Sequence, residues 1–320
     1  MRRRYFLKSV VGAAAASLLP IANAASAAAL TEIRIGYQKS GIFPAVKRRG
    51  TLEAAFKAQN IAIKWIEFAF GPPILEGIAT GNVDFGYTGD APPIFAQAAG
   101  ANLLYVAALP DHAAEGIVVH EDSSIQTIAD LKGKKVGLAK ASSAHNTTAA
   151  ALEKAGLSFR DINPVYLPPA DAVAAFARGS IDAWTVWDPY LALAQKGKVR
   201  VIAYDTDVER PNGFFLAGKS FTQSHPDLVT QLNDAFAQEL EWARGHRAEL
   251  AQAIHEATGV DLDALLQAEQ RSSLTIVPLN DAIIANQQTV ADRFYKLGLI
   301  PNQLTVRDIV WNWTPSLKAG

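Results

Sequence analysis

Apolar positions along this chain repeat with two periods. Short alternating runs, such as 32–37 with Ile33 and Ile35 on one side, predict strands. Longer stretches with apolar residues three and four apart predict helices. Read in order, the pattern predicts a strand at 32–37, a helix at 43–59 and a strand at 61–68. A helix at 72–80, a strand at 83–87, a helix at 92–99 and a strand at 103–107 follow. Pro72 and Pro73 fit a first helical turn, where a missing N–H loses no bond. The rhythm restarts after residue 113. Strands are predicted at 116–120, 135–138, 164–167, 183–187 and 199–203, with helices at 127–131, 145–155, 171–178 and 188–195. Beyond a strand at 214–217 the chain turns almost wholly helical, at 226–244, 247–258, 261–269 and 281–297. This alternation predicts an α/β fold with helices on both faces of parallel sheet.

One stretch echoes another. Residues 75–86 read LEGIATGNVDFG and residues 173–184 read VAAFARGSIDAW. Each is a helix ending in Gly, then a small polar residue, an aliphatic, an Asp and a strand. Gly81 and Gly179 suit the left-handed position that closes a helix. Many helix-to-strand turns share this look, but its placement once in each half predicts two similar lobes. We place lobe I at 30–113 and 212–320 and lobe II at 114–211, so that the chain crosses twice. Ligands of open α/β sheets bind beyond the carboxyl ends of strands and at domain interfaces. The loops after the strands are therefore the candidate site.

Composition narrows the class. The chain has 320 residues, 49% apolar and 19% charged, which excludes a disordered chain, a collagen-like fibre and a coiled coil. Net charge is −1, with no basic excess to suggest nucleic acid. There is no cysteine, hence no disulfide, thiolate metal site, cysteine nucleophile or lipidated cysteine. Residues 1–27 have the three parts of an export signal: a cationic start, a short apolar run from Val10 to Leu19 and small-residue cleavage positions after Ala24 or Ala27. The apolar run is too short for a membrane span. Arg3-Arg4-Tyr5-Phe6-Leu7-Lys8 resembles the twin-arginine export motif, with Arg2 where Ser or Thr is usual. Removing this leader takes away four cations and no acid. The remainder is a net-acidic chain, expected to be soluble and monomeric in a periplasm.

The loops after the strands carry polar and small residues. They are 36–41 (GYQKSG), 88–93 (TGDAPP), 140–146 (KASSAHN) and 188–190 (DPY). Ser142 and Ser143 open a helix, where free backbone N–H groups and the helix dipole make an anion site. They either cap that helix or cradle a neutral-walled oxyanion such as a sulfonate, phosphate or nitrate. Trp184 and Trp187 lie three apart on a strand and so face opposite sides. Trp187, beside the candidate cap Asp188, is the better cleft residue. Phe214 and Phe215 offer an apolar wall; core packing is the competing reading for each aromatic. No Gly-x-Ser-x-Gly elbow, Walker loop or His-Glu-x-x-His occurs, so no catalytic residue, cofactor or metal site is expected. The six His residues are scattered, and only His145 sits on a candidate loop.

These loops resemble the aliphatic-sulfonate-binding proteins of ABC importers, within a group that includes taurine, nitrate and thiamine-precursor binders. The resembling blocks are 35–39 (IGYQK), 88–101 (TGDAPPIFAQAAGA), 129–133 (ADLKG), 142–146 (SSAHN), 168–172 (PPADA) and 182–190 (DAWTVWDPY). The resemblance implies a two-lobed, periplasmic-binding-protein-like II fold, with a mixed sheet flanked by helices in each lobe. It implies no catalysis, a ligand shut in the cleft by hinge closure, and delivery to a membrane permease and its ATPase. It places Gln38, Thr88, Gly89 and Asp90 on one side of the ligand, and Ser142, Ser143, His145, Asn146, Trp187 and Asp188 on the other. Ser142 and Ser143 would hold the sulfonate, with Trp187 and Phe214 flanking the carbon chain. Ala141 and Ala144 stand where such relatives often have Gly and Ser, and 40–43 also departs from their pattern, which bears on ligand size. Taurine, another oxyanion or a thiamine precursor is the alternative ligand, and an exported enzyme on the same fold, with Glu67 or Asp90 as its acid, is the alternative class. For the amine of taurine, Asp90 or Asp188 is available.

Overall fold

Two five-stranded sheets organise the computed structural model, which describes residues 30–110 and 114–316. The leader read at 1–27, with its cleavage positions, lies outside the described residues. The first part of the chain supplies β1 (Glu32–Tyr37), β2 (Ala62–Glu67), β3 (Phe85–Thr88) and β4 (Leu103–Leu109). Its helices are α1 (Phe43–Arg49), α2 (Thr51–Phe56), α3 (Gly71–Ala79) and α4 (Ala91–Ala98). The second run contains β5 (Glu115–His120), β6 (Lys135–Leu138), β7 (Asn163–Tyr166), β8 (Ala183–Trp187) and β9 (Val199–Tyr204). Helices α5 (Ser143–Lys154), α6 (Pro169–Ala177) and α7 (Tyr190–Gln195) lie between those strands. After β10 (Gly213–Gly218) come α8 (Lys219–Ser224), α9 (Pro226–Gly245), α10 (Arg247–Thr258), α11 (Leu262–Arg271) and α12 (Asp281–Lys296).

The sheets share one plan. Sheet I runs β2-β1-β3-β10-β4 and sheet II runs β7-β6-β8-β5-β9. In each, the first three strands are parallel, and the fourth is antiparallel to both of its neighbours. Those fourth strands are the ones reached by crossing: β4 leads into β5, and β9 leads into β10. Both sheets are therefore mixed, as the family resemblance implies, and not wholly parallel as the alternation predicts, because the fourth strand of each enters from the other sheet and runs against its neighbours.

The sequence echo has a structural cause. Gly81 and Gly179 both adopt left-handed backbone, at φ 71° and 66°. The Asp three residues on then does the same task in each sheet. Asp84 accepts the backbone N–H of Arg34 at 2.8 Å, and Asp182 accepts that of Lys135 at 2.7 Å. Each Asp side chain thus pins β3 to β1, or β8 to β6, at the strand start, where the ladder leaves an unpaired donor.

Alternation decides the cores. In sheet II, Ile117, Val119 and Ala183 pack with Val136 and Leu152 on one face, while Val118, Trp184 and Val186 pack with Phe176 and Leu191 on the other. Sheet I buries Tyr105, Phe214 and Leu216 against Ile74, Ile94 and Phe294 of its covering helices. Edge strand β2 is more exposed than central β1 or β4.

Several element boundaries differ from expectation. The helix read at 43–59 breaks at Gly50, whose φ of 67° ends α1 in a left-handed turn, and its last residues form a 3-10 turn. The helix read at 127–131 is a 3-10 turn over Ile128–Leu131, held by the reciprocal Thr127 and Asp130 capping bonds. Helix α7 begins at Tyr190, after the Asp188 that was read as its cap. Helix α8 was not anticipated. Among the described residues no helix is long and apolar enough to cross a membrane.

Candidate functional site

A cleft holding about 910 Å³ of empty space, its open mouth included, lies where the loops after the strands of both sheets meet. Gln38, Gly89 and Asp90 come to it from sheet I, and Ser142, Ser143, Trp187 and Asp188 from sheet II. Helix α11 and the residue after it supply Leu265, Ala268, Glu269 and Ser272.

The start of α5 is shaped for an oxygen-rich group. Ser142 occupies the N-cap position in extended backbone, yet its side chain does not cap the helix. Its hydroxyl donates to the Ala139 carbonyl at 2.7 Å, so no side chain covers the first-turn N–H groups. Ala141, just before, has φ 59°, a left-handed conformation that costs a residue with a Cβ. Across the cleft, Gly89 comes so close that a Cβ there would stand 2.7 Å from that of Ser143. The absence of a side chain at Gly89 is what lets the two sides approach.

Not every expected site residue reaches the cleft wall. Thr88 is fully buried, with its hydroxyl donating to the Gly89 carbonyl at 3.0 Å. His145 has no exposed surface; its ring packs among Phe95, Phe159, Tyr166 and Phe294, and its Nδ1 accepts from the Ala141 N–H. Burial, with Lys140 nearby, lowers its pKa to about 4, so it is neutral packing. Asn146 lies behind the wall. It donates to Asp90 at 2.6 Å and to Glu209, and accepts from Arg293, joining α4, α5 and α12. Phe214 is fully buried in the sheet I core, edge-on to Tyr105. Its pair on the other face of β10, Phe215, lines a smaller apolar pocket with Ile42, Phe43, Leu109, Leu240 and Leu274. That pocket adjoins the cleft through Gly41, Tyr87 and Ser272, which line both. Of the two tryptophans, Trp184 is core and Trp187 lines the cleft.

Asp188 is an ion-pair partner more than a cap. Arg271 of α11 bonds it twice, at 2.8 and 2.7 Å, and the Ala192 N–H adds a third bond at 3.1 Å. Together with the Arg293–Glu209 pair at 3.0 Å, this ties the last helices to the sheet II side at two places.

The cleft is acidic. Asp90, Glu115, Asp188 and Glu269 line it, and among the described lining residues there is no Lys, Arg or His. Glu115 accepts from Thr147 at 2.7 Å and is also bonded by Ser143; burial, then Asp205 and Asp90, push its pKa well above the usual carboxylate range. Burial raises Asp90 too, with Glu209 adding to it. Glu269 is pushed up to about 7, chiefly by burial. The sequence reading missed Glu115, Thr147, Glu269 and Ser272. Thr147 follows Ser143 by one helical turn and was findable; the α11 residues sit far along the chain, with no local signal.

Comparison with known proteins agrees with this architecture. A model of the NMT1/THI5-like family matches residues 56–250. A relative from Escherichia coli (strain K12), described as an aliphatic sulfonates-binding protein, is 39% identical over 314 residues, 96% of this chain and 98% of that one. The solved alkanesulfonate-binding protein SsuA from Xanthomonas axonopodis pv. citri, bound to MOPS, superposes with a TM-score of 0.83 at 38% identity, covering 89% of this chain and 99% of that one. The periplasmic aliphatic sulphonate binding protein SsuA from Escherichia coli gives 0.81 at 39% identity, covering 91% and 95%. The chain belongs to the NMT1/THI5-like family, with aliphatic-sulfonate-binding proteins among its relatives.

Proposed function

We propose that this protein is the periplasmic solute-binding component of an ABC importer, that it captures alkanesulfonates without chemical change, and that it hands them to a permease and ATPase. The observation that carries this reading is the uncapped start of α5 in the cleft wall, in a chain so similar to sulfonate binders along its whole length. In this reading the sulfonate oxygens accept from first-turn N–H groups of α5, while the Ser143 hydroxyl stays bonded to Glu115. Such dipoles hold a monoanion without a fixed countercharge. The carbon chain runs past Trp187 toward the apolar pocket around Phe215. Gln38, Gly89, Asp90, Ser142 and Asp188 complete the wall. Thr88, His145, Asn146 and Phe214 support it from behind.

The two lobes of this reading are 30–113 with 212–320, and 114–211. They open and close about the two crossings. Residues 1–27 serve as a cleavable export signal of twin-arginine type, and the protein works as a monomer. Isothermal titration calorimetry against ethanesulfonate, octanesulfonate, sulfate and nitrate tests the ligand class. The expected result is 1:1 binding of the alkanesulfonates and no heat from sulfate or nitrate. No heat with any sulfonate would overturn the reading.

A further inference from the structure

A sulfonate at the start of α5 would sit close to a buried carboxyl. Glu115 is 6% exposed and lines the cleft, and its side chain is bonded to α5 twice, by Ser143 and by Thr147 at 2.7 Å. Ser143 lines the same wall, in the turn whose N–H groups no side chain covers. One hydroxyl therefore separates the Glu115 carboxyl from an anion held by that turn. Among the described lining residues no cation offsets this. Asp205, after β9, accepts the N–H groups of Ala114 and Glu115 at 3.0 Å each. Asp90 faces Glu115 from the start of α4, the buried Tyr87 phenol faces it from β3, and Glu269 of α11 lines the same cleft. Asp188, next to the register partner Trp187 on β8, is already paired with Arg271. Arg293 is occupied by Glu153, Glu209 and Asn146. An ionised Glu115 would repel the incoming anion in a wall without a countercharge.

Resting on the sulfonate reading above, we propose that the cleft takes its sulfonate only with Glu115 protonated, the acid serving to turn the Ser143 hydroxyl onto the ligand. With the carboxylate ionised, Ser143 and Thr147 both donate to it, and the Ser143 proton is engaged. With the acid protonated, its O–H donates to Ser143 Oγ while its other oxygen still accepts from Thr147. The bond between Ser143 and Glu115 persists with its direction reversed, and the Ser143 proton is free for a sulfonate oxygen. Glu115 touches no ligand atom in this arrangement; it is a positioning residue. The proton comes from solvent, and the one covalent bond formed is the O–H of Glu115. Burial and the neighbouring carboxyls already raise the Glu115 pKa, and an anion beside Ser143 raises it further. The bound state thus keeps the proton to a higher pH than the empty cleft does. Affinity is greatest where the empty cleft is already protonated, and falls as pH rises past that point.

The test is calorimetry with ethanesulfonate, which stays ionised throughout, so that any proton taken up goes to the protein. Wild-type affinity should fall about tenfold or more between roughly pH 6.5 and 9. At about pH 8.5 the binding heat should differ between Tris and bicine, neither of them a sulfonate, as uptake of up to about one proton per ligand requires. Glu115→Gln mimics the protonated acid, its amide donating to Ser143 and its carbonyl accepting from Thr147. At about pH 9 it should bind about tenfold more tightly than the wild type, and its pH slope should be lost. A merely structural role gives no such gain. A flat wild-type profile without proton uptake overturns the proposal and leaves the sulfonate reading standing; this arm needs no variant. A Glu115→Gln protein that keeps the slope, or that binds weakly at every pH, also overturns it. If ethanesulfonate binds at no pH, the sulfonate reading falls, and this inference with it.

Discussion

Gly89, facing the start of α5, governs how closely the cleft walls meet. Gly89→Ala would drive a methyl into Ser143, at a contact of 2.7 Å that real Cβ atoms do not make. The walls must then stay apart. The expected result is a loss of sulfonate affinity of about tenfold or more with the fold intact, read by calorimetry beside a melting curve. An unchanged affinity would show that closure does not need this approach. Ala141 is the reverse case. Its φ of 59° strains any residue with a Cβ. Ala141→Gly relieves this, partly offset by the freer unfolded chain, and should stabilise the protein by roughly 0.5–1 kcal/mol in urea denaturation. At this scale the sequence was informative where a residue's role is local. Ser142, Ser143 and Trp187 line the cleft, because a helix start and strand alternation fix direction. Phe214 packs in the sheet I core, the competing reading for it, and the sequence could not choose because both faces of β10 are apolar.

Among the elements, α5 connects the site to its support. Its first turn faces the cleft, while Asn146 beneath joins Asp90 of the sheet I side to Glu209 and Arg293. Asn146→Ala strands these charged groups without their shared amide. It is expected to cost about 2 kcal/mol or more of unfolding free energy, since unsatisfied buried polar groups are expensive. A cost under about 0.5 kcal/mol would mean that water replaces the amide. Element types were largely legible: strands and helices followed their two periods, and the Gly-x-x-Asp echo marked equivalent turns. The break at Gly50 was not, because apolar spacing continues through α1 and α2 while only the backbone angle changes.

For the whole molecule, the buried carboxyls set a pH dependence. Free carboxyls titrate near 4, but burial holds Glu269 at about 7 and Asp90 at about 8, and raises Glu115 as well. Between those values the folded protein binds more protons than the unfolded chain, so its stability falls as pH rises. His145, at about 4 folded against 6.5 free, acts oppositely, but only below pH 6.5. Above that the carboxyls alone remain. Ligand-free stability should therefore drop by about 1–2 kcal/mol between roughly pH 6.5 and 8.5, measured by urea denaturation at each pH. A rise over that interval would mean that these groups are ionised at neutrality.

What the sequence determined by itself was the class of object: an α/β chain of two like halves, with a polar helix start and an aromatic at its strand ends. Those features depend on residues a few positions apart, and periodicity and local chemistry report on such distances directly. Tertiary structure decided which groups share the cleft. Glu115, at the entry to β5, and Glu269, in the helical last third, stand far apart in the chain and meet only when α11 packs against α7 and the sheets face each other. Which carboxyls are buried together in the cleft is a property of that meeting. No local pattern encodes them.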